Sequence, residues 1–360
     1  MSETIRIAEL ATKISDELFS FFRWSTCSEN DLDFKCNTPT LHFHNTTEES
    51  SKTHPTDVVF YYHDPYLNKK IYFNTDLKSY AENTIKYDEV KAWLISLIKG
   101  TECAKGSVEW KQRYDIRGAT EIRGLLFVYN HDGLFKKSIY DFIHDLPNPK
   151  IKEGQSRNKG FYLKDLNIPK NMKLHMIDPL LIDYMLTIKH DIATLKSVDK
   201  IPHPNKLNFF YPNKQLYKPA LAPSERPATI EMLSGPFLII TYEEFKYISE
   251  DDDSTQFGQR GNIIYYKGKG ETPEEFMFLI ESLMLFDLIN ENVKTRIRLY
   301  AKDLHSTAID NFRSAIDRYS RTWGYSKSMQ EIIRSIEINS IPLMQKLFCN
   351  KSISRSESQD

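Results

Sequence analysis

The sequence predicts a mixed α/β protein of two domains, and three observations carry that expectation. Its 360 residues and 42.2 kDa exceed one small core and fall short of three. Short β-branched and aromatic runs alternate along the chain with longer stretches whose apolar residues recur every three or four positions. Apolar residues make up 40% and charged residues 27%, globular proportions that exclude a disordered or collagen-like chain.

In chain order, Ile7, Leu10, Ala11, Ile14, Leu18 and Phe21 lie at helical spacing and predict a helix over about 4–23. A polar loop is expected over 28–56, where residues 45–51 offer no packing face. Val58, Val59, Phe60, Tyr61 and Tyr62 predict a strand, Pro65 and Asn68 mark a turn, and Ile71, Tyr72, Phe73 and Asn74 begin the return strand of a hairpin. A helix is expected over 79–99, packing through Ile85, Val90, Trp93, Leu94 and Leu97. The continuous apolar run 125–129 reads as a buried strand. Prolines, glycines and charges with little apolar content make 146–170 the expected linker, so the domains are placed at 1–145 and 171–350. The second domain should hold a helix over 179–195 and strands over 236–240 and 263–266. It should also hold a helix over 272–289 capped by Thr272 with Pro273 at its first position, a strand over 296–300 and a helix over 306–319. Residues 226–233 read as the start of an amphipathic helix.

Chemistry concentrates on the hairpin. Asp57 opens its first strand, while Asp76 and Lys78 stand at the end of the second. Residues two apart on a strand share a face, so Asp76 and Lys78 are side by side and the hairpin can bring Asp57 across from them. Two converging carboxylates repel unless a cation neutralises them, and hard oxygen donors suit Mg²⁺. A neighbouring lysine can orient or deprotonate a water and balance charge in a transition state. That set suits phosphodiester hydrolysis. The ordinary alternative is an exposed Asp–Lys ion pair of small value beside a strand-entry aspartate.

With Asp57, eighteen intervening residues and then Asp76, Leu77 and Lys78, in the order helix, hairpin, helix, strand, the first 140 or so residues resemble the PD-(D/E)XK nuclease superfamily. The resemblance implies a restriction-endonuclease-like core, a mixed sheet flanked by helices, followed by a second α/β domain. It implies Asp57 and Asp76 as metal ligands with the Leu77 carbonyl, Lys78 as the catalytic lysine, and Mg²⁺ or Mn²⁺ as cofactor. Asp76 stands where many members have Glu, which shortens the reach of that carboxylate. Many members place a further Glu on the first helix; Glu9 fits by its early position, whereas Glu17 lies nearer the apolar stripe. The two-domain arrangement resembles bacterial antiphage defence nucleases, some of which work as paired subunits. It implies a DNA endonuclease, restrained by a second nuclease-like subunit in a homo- or hetero-oligomer or by a triggering DNA structure. A silent nucleic-acid-binding subunit and an RNase on the same core are the rivals.

Other features are read as structural. Cys27, Cys36, His42 and His44 are all zinc-competent, but the eight residues between the cysteines lack a tight knuckle, so buried thiols and surface histidines are expected. His54 should cover a strand end, with phosphate contact as its alternative. Residues 130–133 read as a turn, and Lys69, Lys70, Lys136, Lys137, Lys150, Lys152, Arg157 and Lys159 as solvated charge. Residues 211–218 interleave aromatics with lysine and are expected to pack on the second domain rather than stack on bases. No P-loop or nucleophile-elbow motif occurs. The 48 Lys+Arg against 49 Asp+Glu exclude a uniformly basic coat protein and leave a local basic cleft open. Scattered cysteines, the charged start of the chain and the lack of any run near the roughly 20 apolar residues of a membrane span predict a cytoplasmic protein.

Overall fold

The computed structural model describes residues 13, 15–43, 52–146, 159–212, 221–248, 254–300, 302 and 304–344. The chain divides into two units, the first closing at Asp183 and the second running from Tyr184 to Met344.

In the first unit a π-helical turn, Ser15–Phe19, buries Leu18 and Phe19 and leads through Phe22 and Trp24 into β1 (Ser25–Thr26). The helix expected over 4–23 stops short, because Arg23 takes a left-handed φ of 62° and Phe22, not Phe21, is the fully buried aromatic. Ile7, Leu10, Ala11 and Ile14 lie outside the described residues. The expected polar loop instead contains β2 (Leu32–Lys35), the four-residue helix α1 (Pro39–His42) and β3 (Thr53–Thr56). β2 and β3 pair antiparallel with Phe34 opposite His54. Exposed Asp33 and Lys35 flank buried Phe34, a two-residue period that charge-rich surroundings hide.

The hairpin of β4 (Val58–Asp64) and β5 (Lys69–Tyr80) forms as expected, with Val58 opposite Thr75. Asp64 Oδ1 accepts from the Tyr66 and Leu67 N–H groups at 2.8 and 3.0 Å, and Asn68 supplies the left-handed turn residue, φ 50°. β5 runs on through Tyr80, so the following helix, α2 (Tyr87–Gly106), starts later than residue 79. α2 and α3 (Val108–Arg113) form the crossover that a parallel neighbour requires, and β6 (Thr120–Asn130) pairs parallel to β5. Val90, Trp93, Leu94 and Leu97 of α2 pack on Leu126 and Val128. The described end of the expected linker, 159–170, contributes two residues to this core. Phe161 and Leu166 are buried in it, and β7 (Leu174–Ile177) is the fifth strand, parallel to β6. Their apolar residues stand singly among charges, which is why 146–170 reads as linker; residues 147–158 lie outside the described residues. The sheet order is β1-β4-β5-β6-β7, a mixed sheet flanked by helices.

Helix α4 (Pro179–Ser197) leads into the second unit. There follow β8 (Asn208–Phe209), α5 (Ile230–Ser234), β9 (Phe237–Tyr242), a small hairpin of β10 (Phe245–Ile248) and β11 (Thr255–Gly258), and β12 (Gly261–Tyr266). After these come α6 (Pro273–Leu285), β13 (Lys294–Leu299), α7 (Ala308–Trp323), α8 (Lys327–Arg334) and β14 (Glu337–Ser340). Sheet order is β14-β13-β12-β9-β8, with β12, β13 and β14 parallel and joined by helices. Ile264, Tyr266, Ile297 and Leu299 face α6 and α7 in one core. On the opposite face Tyr265 and Arg298 reach Asp191 of α4, the hydroxyl and Nε each donating to Oδ2 at 2.9 Å. The cap predicted at Thr272 is present, its hydroxyl accepting from the Glu275 N–H.

Candidate active site

The ladder between β4 and β5 ends at the Val58–Thr75 pair, while β5 continues beside β6 as far as the Tyr80–Asn130 pair. Beyond Thr75 one side of β5 is therefore open, and Asp57 turns its carboxylate to it. The Asp57 N–H donates to the Thr75 carbonyl at 3.3 Å, and the Leu77 N–H donates to Asp57 Oδ2 at 2.6 Å. Strand alternation sends Leu77 into the core, 1% exposed, and puts Asp76 and Lys78 together on the other face. Lys78 Nζ stands 2.6 Å from Asp76 Oδ1. A small cleft opens here between the sheet and α2, lined by Asp57, Asn74, Asp76, Ser96, Leu97 and Gly100.

Burial and the neighbouring Asp76 carboxylate push the Asp57 carboxyl from its ordinary 3.8 up to about 7, against the opposing pull of the Leu77 N–H and Lys78. Burial alone would lower the Lys78 ammonium, but Asp76 and then Asp57 outweigh it and hold its pKa above the usual lysine value. The pair is thus short of positive charge, and its hard oxygen donors fit a divalent cation of the Mg²⁺ class. A strand residue's N–H and C=O point to the same side, so the Leu77 carbonyl also faces the open side of β5.

A buried chain of hydrogen bonds lies beneath the cleft. Trp110 Nε1 donates to Thr56 Oγ1 at 3.2 Å, Thr56 Oγ1 to Asn74 Oδ1 at 2.8 Å, and Asn74 Nδ2 to Thr101 Oγ1 at 3.4 Å. It fixes the residue before Asp57 to β5, α2 and α3. Sequence reading missed Asn74 as a positioning residue; its signal was a polar side chain closing the apolar run 71–73.

The structure thus brings Asp57, Asp76 and Lys78 together. Glu9 lies outside the described residues, and Glu17 sits half-buried in the π-helical turn. His54 turns toward His42, their Nε2 and Nδ1 atoms 3.2 Å apart. Residues 130–133 form the expected turn, with Gly133 at φ 65° and Asp132 accepting from the Glu82 and Leu134 N–H groups. Lys69, Lys70, Lys136, Lys137 and Lys159 are exposed; Lys150, Lys152 and Arg157 lie outside the described residues. Tyr211 is buried with its hydroxyl donating to the Pro227 carbonyl at 2.6 Å, so it packs as expected; residues 213–218 lie outside the described residues. Among the described residues no helix is long and apolar enough to cross a membrane.

Comparison with known families returns a match over residues 1–180 to the model described as the GAPS4 protein PD-(D/E)XK nuclease domain. Comparisons with curated proteins and with solved structures returned no match. The matched span begins at the first residue and ends just past β7, so it takes in the whole first sheet and the hairpin that carries the acidic pair. On a model that covers half of its length, and whose core is the mixed sheet described above, the chain belongs to the GAPS4 PD-(D/E)XK nuclease family.

Proposed function

We propose that this chain is a divalent-metal-dependent endonuclease that hydrolyses DNA phosphodiester bonds, with Mg²⁺ or Mn²⁺ as cofactor, in defence against phage or plasmid DNA. The observation that carries the reading is the meeting of Asp57 and Asp76 with Lys78 at the open end of β5, inside a nuclease-family core. Asp57, Asp76 and the Leu77 carbonyl would hold the ion. When bound, it would polarise the phosphodiester and favour a water nucleophile. Asp57 must first give up its proton, which at neutral pH is only partly gone. Lys78, whose ammonium is held charged, acts as an electrostatic group that orients the attacking water and offsets charge in the transition state. Asn74 and Thr56 hold Asp57 in register with β5. Glu9, by its early place in the sequence, is assigned the third acidic position. The second unit is assigned to regulation, nucleic-acid binding or assembly with a second nuclease-like subunit that restrains cleavage, in the cytoplasm.

One observation favours a second reading. Lys78 pairs with one oxygen of Asp76, so the chain itself partly neutralises the acidic pair, as a silent nucleic-acid-binding subunit would.

Plasmid nicking separates the two. Supercoiled DNA is incubated with the purified chain in Mg²⁺, in Mn²⁺ and in EDTA, beside Asp76→Ala and Lys78→Ala, with thermal melts of each variant. A nuclease nicks only with metal, and each variant loses about a hundredfold or more in rate while still folded. Salt-sensitive DNA binding without nicking would instead point to a silent subunit or to one that waits for its partner, which a pull-down from the native host separates. RNA offered in competition tests the substrate class, and Glu9→Ala beside Glu17→Ala tests the third acid.

A further inference from the structure

Four soft donors meet on the first unit, outside the acidic cleft. Cys36 follows β2, His42 ends α1, His54 lies on β3 and Cys103 lies on α2. Their ligand atoms all fall within 4.8 Å of one another. Only Cys36 and His42 belong to the quartet that spacing suggests. Cys27 is not one of the converging donors, and His44 lies outside the described residues.

Four of the six ligand–ligand distances match one tetrahedral ion, and the other two lie within 4.8 Å. Metal–sulfur bonds near 2.3 Å and metal–nitrogen bonds near 2.0–2.1 Å imply edges of about 3.8 Å for S···S, 3.5 Å for S···N and 3.3 Å for N···N. The structure has Cys36 Sγ to Cys103 Sγ at 3.5 Å and His42 Nδ1 to the two sulfurs at 3.4 and 3.5 Å. His42 Nδ1 to His54 Nε2 is 3.2 Å.

Proton bookkeeping points the same way. Glu102 Oε2 stands 3.2 Å from His42 Nε2, so that nitrogen carries the proton and Nδ1 presents a lone pair. This lone pair faces two sulfurs and a second imidazole nitrogen in a buried site, with His42 8%, His54 4% and Cys103 1% exposed. Only thiol and imidazole protons can bridge these atoms, and a cation that binds here takes their place. The carboxylate behind the histidine is the outer partner that metal-bound histidines typically have, and the Asn37 N–H reaches Cys103 Sγ at 3.4 Å. Phe34 and Phe43 pack tilted rings against His54, their centroids 5.8 and 5.3 Å from its ring, and give the site an apolar wall.

We propose that Cys36, His42, His54 and Cys103 form a structural zinc site that fastens the β2–β3 ribbon and α1 to helix α2. Two thiolates and two imidazoles select zinc, and four protein ligands leave no position for a reacting water. A two-stranded ribbon and a four-residue helix have little core of their own, and Cys36 and Cys103 are 67 residues apart in the chain, so one ion replaces packing those elements lack. The site adjoins the cleft through both of its walls. His54 precedes Asp57 by three residues, and Cys103 follows the cleft-lining Gly100 by three on α2.

The test is metal analysis of the full chain purified without chelator. About one zinc per chain is expected, released when a mercurial thiol reagent modifies the cysteines. Asp76→Ala should keep the zinc, since the carboxylate pair does not hold it, whereas Cys103→Ser and His54→Ala should lose it. Should those variants fail to fold, cobalt exchange into the wild type gives the same answer. A tetrahedral thiolate site shows intense visible bands and a sulfur-to-cobalt charge-transfer band. Zinc below about a tenth of an equivalent with no such cobalt spectrum, a full equivalent of iron in place of zinc, or zinc retained by a folded Cys103→Ser protein would each overturn the assignment.

Discussion

Asp57 is where stability and chemistry oppose each other. Its carboxyl is pushed up to about 7 by burial and by Asp76, so the folded chain binds that proton more tightly than the unfolded chain, whose value is 3.8. The stability linked to this group is therefore fully present below about pH 4 and is lost as pH rises through about 7. Asp57→Asn keeps an oxygen to accept from the Leu77 N–H and removes the charge. Without added Mg²⁺ or Mn²⁺, the variant should be more stable than wild type at pH 8 by about 1–2 kcal/mol, and the gap should narrow to less than half of that at pH 5. Urea melts at the two pH values read this directly, and nicking by the same variant should be abolished. A variant less stable than wild type at pH 8 would mean that Asp57 is not held beside Asp76 as described. The same proton competes with metal, so the Mn²⁺ concentration needed for half-maximal nicking should fall as pH rises from 6 to 7 and level off above.

At the level of elements, the cleft depends on how closely α2 approaches the sheet, and Gly124 of β6 sets that approach. A Cβ there would stand 2.6 Å from Leu174 Cδ2, 2.8 Å from Thr101 Oγ1 and 3.3 Å from Leu97 Cγ. Gly124→Val should destabilise the first unit by about 1–3 kcal/mol through overpacking. By displacing α2, which carries Leu97 and Gly100 to the cleft and Thr101 to Asn74, it should also lower nicking at temperatures where the variant is still folded. A variant with full activity and unchanged melting would show that the helix can move without cost to the site. This tightness explains what could be read from sequence and what could not. β4, β5 and β6 were legible because their apolar runs are continuous, and Asp57, Asp76 and Lys78 stood out as charges at their ends. β2 and β3 were not, because one face of each is polar and the buried side carries only one apolar residue, Phe34, beside the polar His54 and Thr56. β7 was hidden by its four-residue length and its place behind a charge-rich stretch. The quartet of Cys36, His42, His54 and Cys103 was half legible, since its last member comes from a helix 67 residues beyond the first and only folding brings it in.

For the whole molecule, two separate cores predict two separable unfolding events. The first unit is organised around Trp93, Leu97, Leu126 and Val128, and the second around Phe276, Leu279, Ile297 and Phe312. A single two-state transition is not the expectation for such a chain. Calorimetry should resolve two components, or one envelope whose van't Hoff enthalpy falls below the calorimetric enthalpy. The candidate active site lies on the first unit, so Mn²⁺ at about a hundred times its dissociation constant should stabilise only that component, by ~2.7 kcal/mol. For a unit of this size that is a rise of about 5–10 °C. The second component should respond instead to Asp191→Ala, which strips the partner from half-buried Arg298 and buried Tyr265 and should cost about 3–5 kcal/mol. The two perturbations cross-check each other. Metal that shifts both components equally, or an Asp191→Ala variant that lowers both, would mean that the two units unfold as one, and regulation of the cleft by the second unit would then be written into the folding equilibrium itself.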